Sequence, residues 1–268
     1  MNQSILKKYA PKARQDFIAA VTARAERFGI GENKVVPMET DGGLVFIRGE
    51  AYPHTVGGQR TRLLERIRQH GFIQTMEAAA YTWFNRLAAI RFMEIHGYLE
   101  HGFRVLSHPN GGLHPEILEQ AEHLNLPGLD RGRIIELKLA GNRDEALYRL
   151  LLMAQCNALH EAMPFLFERI DDETELLLPD NLLHSDSLIR QLVQDIPEAD
   201  WQEIEIIGWL YQFYISEKKA QVIGKVVKSE DIPAATQLFT PNWIVKYMVQ
   251  NALGHQWLAT YPGSAIRG

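Results

Sequence analysis

With 268 residues, 46% of them hydrophobic and 23% charged, the chain has an ordinary globular composition and is long enough for one large or two smaller domains. No apolar run reaches membrane-spanning length, and the opening Met-Asn-Gln-Ser-Ile-Leu-Lys-Lys-Tyr lacks the apolar stretch of a secretion signal; the single cysteine, Cys156, excludes an internal disulfide framework and fits a reducing cytoplasm. The net charge of −5 argues against a uniformly basic nucleic-acid binder but hides an asymmetry, because residues 1–110 hold 15 Lys+Arg against 10 Asp+Glu whereas residues 111–268 hold 13 against 23.

In chain order, Ala13, Phe17, Ala20, Val21 and Phe28 predict an amphipathic helix from Pro11 to Phe28, stopped by Gly29 and Gly31. A β-hairpin follows, pairing Val35-Val36-Pro37-Met38 with Leu44-Val45-Phe46-Ile47 across Thr40-Asp41-Gly42-Gly43; Pro37 confines the first strand to an edge. The rest reads as helical. A basic helix is expected over 57–70, and a central one over 73–98, where Ala80, Trp83, Phe84, Leu87, Ala88, Phe92 and Ile95 recur at helical spacing. The stretch 97–115, with Pro109-Asn110-Gly111-Gly112 inside it, reads as a loop dividing an N-terminal helical subdomain (1–110) from a second one (111–230). Further helices are expected at about 114–124, 131–139, 142–160, 184–194, 199–219 and 241–253.

Several groups of residues invite a chemical reading and are better explained as structure. His96, His101, His108 and His114 lack the tight pair spacing of a zinc site. Cys156 and His160 stand four apart on a predicted helix, as a nucleophile and its base would, but Leu150, Leu151, Leu152 and Met153 mark the surroundings as core. The acidic run Asp171, Asp172, Glu173, Glu175 and Asp180 lacks the glycine and alternating oxygen ligands of a calcium loop. No glycine-rich phosphate loop or G-x-S-x-G elbow occurs. Arg60, Arg62, Arg66 and Arg68 form the densest basic cluster, a candidate DNA-facing surface or else a solvated helix face.

Residues 231–254 carry the clearest signal. A loop ending in Phe239-Thr240-Pro241 feeds a helix in which Ile244, Val245, Met248, Val249 and Ala252 recur at helical spacing. Thr240 is expected as the N-cap, Pro241 as the first helical residue and Gly254 as a left-handed C-cap. Such a helix start presents free N–H groups and a positive dipole end, suited to a carboxylate or phosphate.

Gln-Leu-Phe-Thr-Pro followed by an apolar helix resembles the aromatic-Thr-Pro motif that precedes the cofactor-binding core of adenine-N6 DNA methyltransferases. The strings at 79–94, 163–168, 176–181, 208–212 and 217–219 resemble, in the same order, landmarks of the PglX family of BREX phage-defence methyltransferases, so the resemblance covers essentially the whole chain. It implies a mainly α, multi-helix N-terminal region with one short β-hairpin, with residues 231–268 opening a Rossmann-like methyltransferase domain. It implies S-adenosylmethionine as cofactor, with Phe239, Thr240 and Pro241 along its pocket, and double-stranded DNA and other BREX proteins as partners; a phage-encoded inhibitor is a further partner to test. Leu238 stands where relatives often place an aromatic, which weighs against ring stacking there.

The departures are equally informative. The acidic-Pro-x-x-Gly-x-Gly turn that holds the cofactor and the Asn-Pro-Pro-aromatic loop that grips a flipped adenine are both missing. The family's cofactor core would begin shortly beyond Gly268, so the expectation is an N-terminal piece that does not methylate DNA alone, nor hold S-adenosylmethionine alone. A stand-alone helical module that binds protein partners without catalysis is the alternative.

Overall fold

The computed structural model describes residues 1–164, 167, 173–227 and 229–266. Helix α1 (Gln3–Arg27) starts two turns earlier than the expected Pro11, because the Asn2 side chain accepts from the Ser4 N–H and caps it. Pro11 sits inside the helix and forfeits one backbone bond, but Leu6, Tyr9, Ala10 and Ala13 are buried on either side of it. The helix ends with the Gly29 N–H on the Glu26 carbonyl and the Ile30 N–H on that of Ala25. This is a Schellman close, with Ala25 and Ile30 both buried.

Three strands follow, where the sequence predicts two. β1 (Met38–Asp41), β2 (Leu44–Ile47) and β3 (Glu50–Pro53) form an antiparallel sheet in the order β1-β2-β3, with Asp41 opposite Leu44 and Ile47 opposite Glu50. The first strand therefore begins at Met38, after Pro37, and is an edge. Its turn is the two-residue Gly42-Gly43, both at positive φ. Val45 and Ile47 of β2 point inward and Leu44 outward, the alternation of a sheet with one covered face. Among the described residues, Glu50–Pro53 offers little apolar patterning; it becomes a strand because β2 has a free edge to pair.

Helices α2 (His54–His70) and α3 (Phe72–Ile95) are joined by Gly71. α3 carries the centre of the core: Ala80, Trp83, Phe84, Leu87 and Ile90 are buried. It packs against α1, where Phe17 meets Phe84 edge-on at 5.7 Å. The stretch after α3 is irregular but tied down. The fully buried carboxylate of Glu94 accepts from the N–H groups of Val105 and Leu106 (2.7 Å each), from the Ser107 hydroxyl (2.9 Å) and from Arg91 (2.5 Å). Four donors on one carboxylate replace the water that Glu94 loses.

The second half is a series of shorter helices: α4 (Glu116–Glu119), α5 (Arg131–Leu139), α6 (Asp144–Ala162), α7 (Glu173–Leu176), α8 (Leu188–Asp195), α9 (Ile206–Tyr214) and α10 (Ser216–Val222). The expected helix at 114–124 is one turn of α-helix followed by a 3₁₀ turn. That expected at 184–194 starts later, with Ser187 as its cap. The segment 199–219 divides into a 3₁₀ turn, α9 and α10, with breaks at Glu203 and Ile215. A continuous cluster of buried side chains runs from Leu6 to Tyr214, and the Tyr214 ring stacks on Phe84 at 4.4 Å.

The last elements are α11 (Ile232–Thr236), α12 (Asn242–Val249) and α13 (His255–Thr260). Two local expectations fail here. Pro241, extended at ψ 146°, is the cap residue of α12, and the Thr240 side chain makes no capping bond. Gly254 is right-handed helical; the chain passes through a π turn at Gln250–Gly254 into α13 without stopping. Asp171, Asp172 and half of the string 163–168 (165, 166 and 168) lie outside the described residues.

Candidate functional site

The Phe239-Thr240-Pro241 bend is docked on one side of α9. Glu205, Gly208, Trp209 and Gln212 are three or four residues apart and so share a helical face. Each touches the arriving segment. The Phe239 N–H donates to Gln212 Oε1 at 2.7 Å, and the Phe239 ring meets Trp209 edge-on at 5.1 Å. Gly208 leaves room for that ring, because a Cβ there would lie 2.1 Å from Phe239 Cε2. One turn on, the Asn242 N–H donates to the Glu205 carboxylate, and upstream Lys219 Nζ donates to the Gln237 carbonyl at 2.6 Å.

Phe239 and Pro241 are therefore half-buried and Thr240 is exposed at the bend. The carboxylate of Glu205 stands at the positive end of α12, where free amides favour negative charge. The indole N–H of Trp209 is enclosed and meets no acceptor among the described residues. A half-buried aromatic and an enclosed indole donor stand at the bend, while the Asn242 amide is taken by Glu205 and those of Ile244 and Val245 by the Pro241 carbonyl. Among the described residues these groups do not make a closed pocket.

Beyond the bend, α12 has no buried residue. Trp243 is 70% exposed, Tyr247 64%, Met248 60% and Leu253 70%. A helix that is apolar on most of its circumference is normally covered on more than one side.

The four arginines of α2 do not share one surface. Arg60 is buried, sharing its stripe with Gly57 and Leu63, and donates to the carbonyls of Phe28 (2.8 Å) and Val36 (2.5 Å). It ties the end of α1 and the approach to β1 onto α2, and its desolvation lowers its pKa. That removes it from a DNA-facing set. Arg62 and Arg68 are exposed and Arg66 half-buried; Arg62 and Arg66 lie 3.8 and 3.3 Å from the Glu173 carboxylate.

The remaining candidates resolve into packing. Among the described residues no three His, Cys, Asp or Glu side chains are arranged to hold a metal. His96 Nε2 lies 2.9 Å from the Trp201 carbonyl and His101 Nε2 lies 2.7 Å from Gln155 Oε1. Cys156 is fully buried, and burial pushes its thiol up to about 12. His160 is engaged instead with the Phe167 carbonyl at 2.6 Å.

No family model matches the chain. It is 58% identical over 276 residues to the adenine-specific methyltransferase BrxX of Escherichia coli O9:H4 (strain HS), a match that takes in 100% of this chain and 23% of that protein. It is 37% identical over 284 residues to the adenine-specific methyltransferase PglX of Lacticaseibacillus casei (strain Zhang), covering 96% of this chain and 23% of the relative. The chain is a counterpart of the N-terminal region of BREX adenine-specific methyltransferases. It spans about a quarter of the length of these curated relatives. The string at 208–212, which resembles a landmark of the BREX methyltransferases, and that at 237–241, which resembles the aromatic-Thr-Pro motif of adenine-N6 DNA methyltransferases, meet at the α9 face. The sequence marks Gly208 and Gln212 only as members of the string 208–212 and not as anchors of the bend, and it gives no signal for Glu205.

Proposed function

We propose that this chain serves as the N-terminal part of an S-adenosylmethionine-dependent adenine-N6 DNA methyltransferase of a BREX phage-defence system. The observation that carries this reading is identity of 58% to BrxX along the whole chain. Phe239, Thr240 and Pro241 form part of the cofactor pocket's wall, a role supported by the exposure of Thr240 and the partial exposure of its two neighbours. When bound, S-adenosylmethionine supplies the methyl group; this chain's contribution is to orient the wall through the Phe239–Gly208 seat. The apolar surface of α12 packs against a Rossmann-like catalytic region that follows. The region of 268 residues is inactive alone, since the cofactor turn and the adenine-gripping loop are not within it.

Double-stranded DNA is the substrate, approached in part by Arg62, Arg66 and Arg68. Other BREX proteins are partners, and a phage-encoded inhibitor acting on this region is a further candidate. The exposed face of α12 also favours a second reading, a helical module that binds a protein partner without chemistry.

The test is methyl transfer from labelled S-adenosylmethionine to adenine in DNA, run on this region and on a full-length protein that contains it, with calorimetric titration of the cofactor into both. Transfer and binding by the full-length protein alone are expected. No transfer by the full-length protein sinks the enzyme reading, and tight cofactor binding by residues 1–268 sinks the wall reading.

A further inference from the structure

A second cleft, of about 800 Å³, opens between α1, the start of α3 and the α9–α10 segment, away from the Phe239 bend. Its size falls in the range of small-molecule sites. Three tyrosines frame one end, with the Tyr81 ring centre 5.6 Å from those of both Tyr211 and Tyr214. Tyr214 is only 3% exposed, and its hydroxyl has no hydrogen-bond partner among the described residues. A buried hydroxyl without a partner is unfavourable, and a ligand acceptor would offset that cost.

Charges in the floor of the cleft are paired. Glu77 is held by Arg14 at 2.7 Å and faces Lys218 at 3.7 Å, Arg14 also faces Glu217 at 3.8 Å, and Lys218 also reaches Asp231 at 3.2 Å. Glu32 lines the cleft as well, so neither cation is left without a carboxylate to attract an anion to the tyrosine end, the setting for an uncharged ring. The other end differs. α3 is 24 residues long, no side chain caps its start, and Gly71, Phe72, Ile73 and Gln74 line the cleft. The first-turn amides of a long helix favour negative charge.

We propose that this cleft binds a small molecule joining a flat aromatic ring to an anionic group, with the ring among Tyr81, Tyr211 and Tyr214, an acceptor on the Tyr214 hydroxyl and the anion at the start of α3. A nucleoside monophosphate and an aromatic carboxylate share that chemistry. The site is separate from the Phe239 bend, so the two readings fail independently.

Calorimetric titration of residues 1–268 with adenosine 5′-monophosphate and with 4-hydroxybenzoate tests it, each beside its uncharged counterpart, adenosine and phenol. Saturable binding of at least one anionic ligand is expected, several-fold tighter than its uncharged counterpart; which one binds identifies the class. Tyr214→Phe keeps the ring on Phe84 and should weaken binding about fivefold. In the unaltered protein, ligand should also slow hydrogen exchange at residues 72–74. Failure of both anionic ligands at millimolar concentration, equal binding of the uncharged rings, or unchanged affinity in Tyr214→Phe overturns the proposal.

Discussion

The ring of Phe239 lies directly on the backbone of Gly208, close enough that a methyl group on Gly208 would fall 2.1 Å from Cε2, 2.3 Å from Cδ2 and 2.7 Å from Cζ. No flexible chain end is there to give way. Gly208→Ala would raise the intrinsic helix propensity of α9 by about 1 kcal/mol yet force the ring out. The expected result is undocking of the bend, read as faster hydrogen exchange at the Phe239 and Asn242 amides with little change in the rest of the fold. Unaltered protection at both amides would show that the seat does not hold the bend.

Glu94 should matter more to stability than its place at the end of a helix suggests. Its enclosed carboxylate serves two backbone amides, a hydroxyl and Arg91, whose own side chain is 2% exposed. Glu94→Gln leaves the buried Arg91 guanidinium with only the half-exposed Glu198 carboxylate, at 3.3 Å, as counter-charge and should cost about 3 kcal/mol in urea unfolding. A loss below about 0.5 kcal/mol, the range of an ordinary surface change, would contradict this account.

The pair Arg104–Glu198 gives a pH signature. Both guanidinium nitrogens reach the carboxylate, at 2.8 and 2.9 Å, and this hydrogen bonding to Arg104 holds Glu198 below the usual glutamate value of 4.5. A depressed folded pKa adds stability that is fully present above the unfolded value and is lost as pH falls through the folded one. Solvent screening keeps the term to roughly 0.5 kcal/mol. The stability gap between the native protein and Glu198→Gln should therefore be constant near neutrality and shrink below pH 4.5. A gap that persists unchanged in acid counts against the pair.

Cys156 should be silent toward thiol reagents in the folded protein. It is 0% exposed, and desolvation pushes its thiol up to about 12, so neither access nor thiolate is offered near neutral pH. Labelling should appear only with denaturant, at the unfolding midpoint. Rapid labelling of the native protein would show that the α6 environment is open.

The arginines of α2 should separate into two behaviours. Arg60→Ala removes donors to the Phe28 and Val36 carbonyls inside the fold and should cost about 2 kcal/mol of stability. Replacing Arg62, Arg66 and Arg68 with Ala should leave the fold intact and, in a full-length enzyme, lower DNA affinity and flatten its salt dependence. An unchanged salt slope in the triple variant removes this face from the DNA-facing candidates.

The sequence alone determined what depends on local periodicity. The apolar stripes of α1 and α3 were legible because burial follows the helical repeat, as Phe17, Val21, Trp83, Phe84 and Leu87 show. The Phe239-Thr240-Pro241 string and its companions marked the family, since a resemblance needs only order and identity. Tertiary structure decided where no local rule reaches. β3 exists because β2 offers an open edge, and Arg60 turned inward because two carbonyls from other elements needed donors. The bend acquired its orientation from Gly208 and Gln212, some thirty residues earlier in the chain. Local sequence sets which conformations a segment can adopt, but the choice of partner for a free donor, an open strand edge or an exposed ring is made by what the fold brings near it.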